Sequence, residues 1–356
     1  MGKVKGMALE IAGRRIAEGE RPFVIAEGGV NHNGSVELAL QLVDAAAEAG
    51  ADAVKFQTFS AEAMVLKDAP QAEYQLARAP ARSQLDMLRR LELPADSWPA
   101  LAVRANARGI VFLSTPFDLA SVELLAALGV PAFKVGSGEL TNLVLLRAVA
   151  AQGRPVLLST GMADLAEVEA AVDDLRRHGD PPLALLQCTS AYPAPAEEAH
   201  LRAMATLRDR FRVPVGYSDH TLGIATATAA AALGAALIEK HLTLDRTLPG
   251  PDHAASLEPG GFRELVEAVG DAWIALGDGT KAPRPHELEA SRLARRSLVS
   301  QRAVTAGSVL GADDIGAMRP AGGISPLRLD EVIGRRAARD LAAGEPLSPT
   351  DLAPPL

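Results

Sequence analysis

The sequence predicts a (β/α)8 barrel followed by a small C-terminal domain of mostly β and irregular structure. Three observations support this prediction. Eight short runs rich in β-forming residues recur along residues 23–241, and stretches with helical spacing of apolar residues separate them. Most of the runs are continuously apolar, which is typical of strands buried on both faces of a parallel sheet. Nearly every run also ends in polar residues, as the strands of barrel enzymes do.

The predicted strands alternate with predicted helices in chain order. The strands occupy residues 23–27, 53–57, 110–115, 132–137, 155–160, 183–188, 213–218 and 237–241. The Ala- and Leu-rich helical stretches include residues 36–49, 100–108, 119–128, 165–177 and 224–233. This alternation favours a closed barrel. An open doubly wound sheet would need a glycine-rich phosphate turn early in the chain, and residues 27–34 do not match that fingerprint.

The C-terminal part of the chain differs from the barrel in composition. A segment rich in Gly and Pro at residues 277–285 predicts a linker. We therefore predict a barrel domain at residues 1–280, a linker with a short helix at residues 281–295, and a small domain at residues 296–356.

Composition and charge exclude several functions. The chain has 356 residues, of which 48% are hydrophobic, and its formal net charge is −8. An acidic balance argues against non-specific nucleic-acid binding. Cys188 is the only cysteine, so neither a disulfide within the chain nor a Cys-based zinc site is expected. Residues 1–6 lack the apolar core of a signal peptide, and we expect a cytoplasmic location with no membrane span.

In a (β/α)8 barrel the active site forms where the strands end, at their carboxyl ends. The strand-end residues therefore predict one convergent set of side chains: Glu27, Lys55, Gln57, Thr115, Lys134, Ser137, Ser190, Ser218, His220, Lys240 and His241.

Lysines are rare in this chain, yet three of the seven lie in apolar strands, at Lys55, Lys134 and Lys240. A charge buried there needs an anionic partner. An internal ion pair would satisfy one such lysine, but we do not expect internal pairs to account for all three. Together with the strand-end hydroxyls, the lysines suggest a site for phosphate or carboxylate.

His220 and His241 end the last two predicted strands, which places two imidazoles on one side of the barrel mouth. Two neutral imidazoles suit a divalent ion with open positions for substrate oxygens, such as manganese, with magnesium or cobalt as alternatives. Two histidines without a known position would be a weak signal, and the strand-end placement strengthens it.

Glu27 ends the first predicted strand. Its carboxylate could take a proton from an attacking water. The competing interpretation is a structural carboxylate paired with Lys55 or His32.

Eight motifs in the barrel region resemble those of the sialic acid synthase family, the phosphoenolpyruvate-dependent N-acylneuraminate synthases. They are AEGGVNHNG at residues 26–34, GADAVKFQ at 50–57, STPF at 114–117, FKVGSGE at 133–139, CTSAYP at 188–193, YSDH at 217–220, EKH at 239–241 and GPDHAASLE at 250–258. One departure is Gly28, which replaces a bulky apolar residue. Residues 318–326, MRPAGGISP, resemble the family's antifreeze-like (SAF) domain.

The resemblance implies roles for named residues and a homodimer in which the C-terminal domains are swapped. It assigns phosphoenolpyruvate to Lys55, Thr115, Lys134, Ser137, Ser190 and Ser218. It assigns the sugar to Gln57, Tyr192, Asp252 and Arg319, with Arg319 reaching the partner's active site. His220 and His241 would bind the metal and serve in catalysis, and Glu27 would be the base.

The implied reaction joins phosphoenolpyruvate, water and an N-acylated mannosamine, with N-acetylmannosamine as the first expectation and N-acetylneuraminate and phosphate as the products. Carbon three of phosphoenolpyruvate attacks the metal-polarised sugar aldehyde, and water captures the resulting cation. Alternatives are the 6-phosphate of that sugar, or a legionaminic acid synthase that uses 2,4-diacetamido-2,4,6-trideoxymannose. Rivals from other classes are a Schiff-base aldolase using Lys134 or Lys240, and a non-enzymatic sugar-binding or structural protein.

Overall fold

The computed structural model describes residues 8–354. Residues 1–6, on which the expected absence of a signal peptide depends, lie outside this range. Contacts within the chain divide it into two compact units, one ending at Gly277 and one beginning at Asp278. No helix in residues 8–354 is long and apolar enough to cross a membrane.

The first unit contains a β-hairpin followed by eight parallel strands. The hairpin strands are β1 (Ala8–Ile11) and β2 (Arg14–Ala17). The parallel strands are β3 (Phe23–Gly29), β4 (Ala53–Thr58), β5 (Val111–Pro116), β6 (Phe133–Val135), β7 (Val156–Ser159), β8 (Leu183–Cys188), β9 (Val215–Asp219) and β10 (Leu237–His241). Their hydrogen-bonded order is β5-β4-β3-β10-β9-β8-β7-β6, and β5 also contacts β6, so the sheet is a nearly closed barrel. The predicted fold is confirmed.

Helices follow the barrel strands along the chain, and those with long buried faces pack against the outside of the sheet. They are α1 (Val36–Glu48), α2 (Ala61–Met64), α3 (Glu73–Arg78), α4 (Gln84–Arg89), α5 (Trp98–Ala107), α6 (Leu119–Leu128), α7 (Leu143–Ala150), α8 (Leu165–Arg177), α9 (Ala203–Phe211), α10 (Ala225–Ala232) and α11 (Pro259–Leu276). Helix α1 shows why they pack: Ser35 caps its first turn, and Ala39, Leu42, Val43 and Ala46 form one buried face. The excursion α2–α4 between β4 and β5 was not predicted.

The pleat of the strands separates an apolar layer from a polar one inside the barrel. Phe23 and Ile25 belong to the interior apolar cluster that also includes Leu9 and Ile16 of the hairpin. Because side chains alternate between faces, Glu27 is the next interior position on β3. The hairpin therefore helps to fill the amino-terminal end of the barrel, while polar side chains collect at the carboxyl end.

The second unit has its own small core. It contains α12 (Pro285–Ala294), β11 (Ser297–Ser300), β12 (Ile315–Met318) and α13 (Leu329–Val332). Strands β11 and β12 pair antiparallel, and most of the remaining chain is irregular with isolated β-bridges. The core comprises Leu298, Val304, Leu310, Ile315, Ile324, Val332, Ala337, Leu341 and Leu347.

Candidate active site

A cavity of about 460 Å³ opens at the carboxyl end of the barrel strands. Eleven of the predicted site residues line it: Glu27, Lys55, Gln57, Thr115, Lys134, Ser137, Ser190, Tyr192, Ser218, His220 and His241. Asp252 lies beside it, with its Oδ2 3.8 Å from Nδ1 of His241. Arg319 is exposed on the second unit.

The two cavity lysines both have carboxylate partners within the barrel. Lys55 pairs with Glu27 and donates a hydrogen bond of 3.1 Å to the hydroxyl of Thr115. Lys134 donates to Ser159 at 2.8 Å and lies 3.5 Å from Glu239. Burial lowers the pKa of Lys134, and the attraction of Glu239 does not offset it. For Lys55, burial also lowers the pKa, but Glu239 and Glu27 outweigh it and the pKa is raised.

Lys240 contradicts its predicted place at the barrel mouth. It pairs with Asp219 at 2.7 Å and does not line the cavity. The reason is the strand pleat, since Lys240 lies between the interior positions Glu239 and His241 and so faces the opposite side of the sheet. All three strand lysines therefore have internal carboxylate partners, and the expectation that internal pairs would not account for all of them was wrong.

Glu239 and Ser159 are cavity residues that the sequence prediction missed. Glu239 accepts a hydrogen bond of 3.0 Å from Ser218 and lies 3.9 Å from Lys55. Burial raises the pKa of Glu239, but Lys134 and Lys55 together lower it by more than burial raises it. The net pKa lies below its ordinary value, so the carboxylate is ionised. The sequence signal was its position two residues before His241, because residues i and i+2 of a strand share a face.

Glu27 is 1% exposed and lies between Lys55 and Gln57. Gln57 donates to its Oε1 at 3.0 Å. Burial raises the pKa of Glu27, and this effect outweighs the lowering by Lys55. A buried carboxylate with a raised pKa is a stronger base than an exposed one. The ion pair with Lys55, which was the competing structural interpretation, is present together with this property.

A β-bulge in β3 sets the position of Glu27. The register with β4 shifts between Glu27 and Gly29, so Gly28 is the extra residue of the bulge. A Cβ on Gly28 would lie 2.8 Å from the ring of Phe56. The buried Phe56 ring thus fills the space that the bulky residue usual at this position would need.

The hydroxyls of Ser137 and Ser190 lie close to a glycine. Gly161 donates its backbone N–H to Ser137 at 2.9 Å. A Cβ on Gly161 would lie 2.5 Å from the Ser190 hydroxyl and 2.8 Å from that of Ser137. The absence of a side chain at Gly161 leaves room for both hydroxyls, which form a small cradle. Both hydroxyls line the cavity together with Lys134, and these groups are suited to an anion.

His220 and His241 lie next to each other at the ends of β9 and β10, with ring centroids 5.4 Å apart. Nδ1 of His220 is 2.7 Å from the carbonyl of Thr189. If Nδ1 carries the proton and donates to that carbonyl, Nε2 keeps a free lone pair, as in many metal-binding histidines. Nδ1 of His241 is buried without a hydrogen-bond partner.

The histidine pair fits a divalent metal. Burial, followed by the charge of His220, lowers the pKa of His241 well below its ordinary value, so its imidazole is neutral as a metal ligand must be. Burial also lowers the pKa of His220, but the contact with Cys188 outweighs it and the pKa is raised, so a metal there competes with a proton. Within residues 8–354 no group of three or more His, Cys, Asp or Glu is arranged to hold a metal. The protein would therefore supply two imidazoles and leave the other positions to water or substrate oxygens.

Comparisons with known proteins identify the family of the chain. Residues 42–281 match the NeuB family, and residues 295–353 match the SAF domain. The chain is 46% identical over 330 residues to N,N'-diacetyllegionaminic acid synthase of Legionella pneumophila, which covers 91% of this chain and 93% of that protein. The enzyme of the same name from Campylobacter jejuni is 44% identical over 329 residues, covering 92% and 98%.

A solved structure is similar as well. The N-acetylneuraminic acid synthetase of Leptospira borgpetersenii serovar Hardjo-bovis, crystallised with citrate, superposes with a TM-score of 0.70 at 34% identity and covers 80% of this chain and 95% of that one. The resemblance predicted from the motifs is confirmed: this chain belongs to the NeuB family and carries a SAF domain at its C-terminal end.

Proposed function

We propose that this protein condenses phosphoenolpyruvate with 2,4-diacetamido-2,4,6-trideoxymannose and water to form N,N'-diacetyllegionaminic acid and phosphate. The observation that supports the reaction type is the single cavity that brings together Lys55, Lys134, the hydroxyl cradle, Glu27 and the histidine pair. The choice of sugar rests on the Legionella and Campylobacter relatives, which are named as synthases of that product. This sugar was the alternative substrate predicted from the sequence, and the two relatives favour it over N-acetylmannosamine.

The charge of the cavity favours a sugar without a phosphate. Its lining carries two lysines, Lys55 and Lys134, and two carboxylates, Glu27 and Glu239. Among the described barrel residues, no arginine and no further lysine lines it. Phosphoenolpyruvate alone brings a phosphate and a carboxylate to these two cations. A 6-phosphorylated sugar would add a second phosphate without a free cation, which is unfavourable in a buried site.

In this proposal the lysines and hydroxyls bind and orient phosphoenolpyruvate. Lys134 and Lys55 stabilise its negative charge, and the cradle of Ser137, Ser190 and Gly161 receives one of its anionic groups. The lysines act as fixed cations and need not form Schiff bases. Glu27 takes the proton from the water that attacks the cation formed after carbon–carbon bond formation. The tetrahedral adduct that results carries both the new hydroxyl and the phosphate ester, and it expels phosphate to leave the 2-keto acid.

The histidine pair faces the sugar aldehyde in the proposal. A divalent ion held by His220 and His241 would supply Lewis-acid polarisation of that carbonyl. Tyr192 lies against both rings, with centroid distances of 4.2 Å to His220 and 5.8 Å to His241, and so limits the space on one side of the pair. A swapped homodimer in which Arg319 contacts the N-acyl group remains a prediction from the family resemblance.

The test is phosphate release from phosphoenolpyruvate with manganese and one sugar at a time. The three sugars are 2,4-diacetamido-2,4,6-trideoxymannose, N-acetylmannosamine and N-acetylmannosamine 6-phosphate. We expect the diacetamido sugar to give the highest kcat/KM and the 6-phosphate the lowest. A higher kcat/KM with N-acetylmannosamine would reinstate the neuraminate synthase.

A second experiment addresses the aldolase rival. Incubation with a keto acid and borohydride would leave a covalent adduct on Lys134 if that lysine formed a Schiff base. We expect no mass increase in the intact protein. An adduct on Lys134, together with absent phosphate release, would replace the proposed reaction by aldolase chemistry.

A further inference from the structure

An ion pair lies directly behind the histidine pair. Asp219 and Lys240 are register partners on β9 and β10, and their side chains are both fully buried. Nζ of Lys240 donates to Oδ2 of Asp219 at 2.7 Å. It also donates to the backbone carbonyl of Thr221. A fully buried ion pair needs all of its polar atoms satisfied, and this one joins two strands and a turn.

The turn after β9 is held by the same carboxylate. Oδ1 of Asp219 accepts from the backbone N–H of Thr221 at 2.9 Å and from its hydroxyl at 2.8 Å. His220 lies between these two residues in the chain, so both of its neighbours are tied to Lys240. The carbonyl of His220 also accepts from Ala194 at 2.9 Å.

The strand pleat places the two pairs on opposite faces of the sheet. Asp219 precedes His220 and Lys240 precedes His241, so the ion pair points away from the cavity while the imidazoles point into it. A contact that fixes Asp219 against Lys240 therefore also fixes the backbones that carry the two rings. The imidazole separation of 5.4 Å is set at these two strand ends.

We propose that Asp219 and Lys240 are positioning residues that set the relative placement of His220 and His241, and with it the affinity for a divalent metal. The inference rests on the metal site of the proposed function and extends it to residues that touch neither cavity nor substrate. Ligands for metal must be held near the correct geometry by surrounding contacts, since loosening that support weakens binding about 10–100-fold in other metal sites.

The test compares manganese binding in a double variant and in the wild type. Asp219→Asn with Lys240→Met removes both charges together, so that no buried charge is left unpaired. The amide oxygen of the first substitution can still accept from Thr221, so the variant removes mainly the link between the strands. Manganese affinity is read from the electron paramagnetic resonance signal of the free ion, which requires no turnover. We expect a Kd at least about tenfold higher than that of the wild type, as for other losses of support around a metal site.

A matched control removes another ion pair of the same barrel. Arg147 on α7 binds the buried carboxylate of Asp174 on α8 at 2.9 and 3.0 Å, and neither residue lines the cavity. Arg147→Met with Asp174→Asn should change the melting temperature in EDTA and leave the manganese Kd within about twofold of the wild type, because distant sites rarely couple. Raising manganese should also restore part of the lost kcat in the Asp219/Lys240 variant, which a purely structural defect would not allow.

The outcomes separate this inference from the proposed function. If the wild type shows no saturable manganese binding, and so behaves like a His241→Ala reference, the proposed metal site is wrong and this inference is wrong with it. If the wild type binds manganese and the folded double variant binds it with the same Kd, only the inference is wrong. Should the double variant fail to fold, Asp219→Glu keeps both charges and lengthens one side chain by a methylene. The inference then requires a severalfold weaker Kd, and an unchanged one contradicts it.

Discussion

At the scale of single residues, Glu27 and Glu239 are two buried carboxylates with opposite pKa shifts beside the same lysine. Burial dominates at Glu27 and raises its pKa, whereas Lys134 and Lys55 dominate at Glu239 and lower its pKa. Carboxylates whose environments separate their pKa values usually have different roles. Glu27 suits proton transfer, and Glu239 suits a permanent negative charge that orders the two lysines.

Glu27→Gln is predicted to lower kcat by about 10²–10⁴-fold, the usual contribution of a general base, because water capture is a transition-state step. The Kd for phosphoenolpyruvate should change by less than about threefold, because Lys134 and the hydroxyls are untouched and Lys55 keeps Glu239 as an anionic neighbour at 3.9 Å. Steady-state kinetics and calorimetry measure the two quantities. Glu239→Gln is the matched control, in which we expect the larger change in phosphoenolpyruvate affinity. Equal losses of kcat and affinity in Glu27→Gln would instead assign Glu27 to binding.

At the scale of elements, the strands and their chemistry could be predicted because each strand is short, apolar and ends in polar residues. The prediction of site residues did not take into account that side chains alternate between the two faces of a strand. Applied to β10, alternation from His241 places Glu239 inside and Lys240 outside. The excursion α2–α4 could not be predicted in the same way, because its short helices have no long periodic pattern.

The tight packing beside Gly28, in the β3 bulge, can be tested by adding a methyl group there. Phe56 packs near the rings of His32, Trp98 and Phe112, with centroid distances of 6.0, 6.5 and 6.2 Å, so it has little room to move. Gly28→Ala is therefore predicted to lower the free energy of unfolding by about 1–3 kcal/mol through overpacking. Chemical denaturation of the full chain measures it.

Gly270 in α11 provides the control for this substitution. A Cβ there meets no atom within 4 Å. Gly270→Ala should therefore raise stability by about 0.5–1 kcal/mol, the usual gain from glycine to alanine inside a helix. Combining Gly28→Ala with Phe56→Leu should cost less than the sum of the two single changes. Additive costs would show that the ring is not the obstacle.

At the scale of the whole molecule, the barrel closes where the first parallel strand meets the last. β3 pairs with β10 along Phe23 to Glu27. The loops beyond these strands are joined by buried polar contacts. Asn31 donates to the carbonyl of Leu242 and to Ser256, both at 2.9 Å. This closure follows from the fold class, but the side chains that complete it lie in loops, where residue spacing predicts no partner.

His253 is part of this closure and makes it sensitive to pH. It is fully buried, with Nδ1 2.7 Å from the Thr243 hydroxyl and Nε2 3.3 Å from Oδ1 of Asn33. Burial lowers the pKa of His253 to about 4. In the unfolded chain the pKa returns to about 6.5, so between these values the unfolded state binds the proton more readily. The free energy of unfolding therefore falls as the pH is lowered from about 6.5 toward 4, because the unfolded chain binds a proton at His253 that the folded barrel does not.

The prediction concerns the difference between the wild type and His253→Gln, because other buried groups titrate in the same range. Asp252, whose pKa burial raises to about 6, changes stability in the opposite direction but is present in both proteins. From about pH 7 to about pH 4.5 the wild type should lose about 2–3 kcal/mol more than the variant, as one depressed histidine pKa requires. Denaturation at each pH measures the two curves. Parallel curves would mean that His253 binds its proton at the same pH in the folded and unfolded states. The contacts that join the first and last strands would then have to tolerate a charge below about pH 6.5.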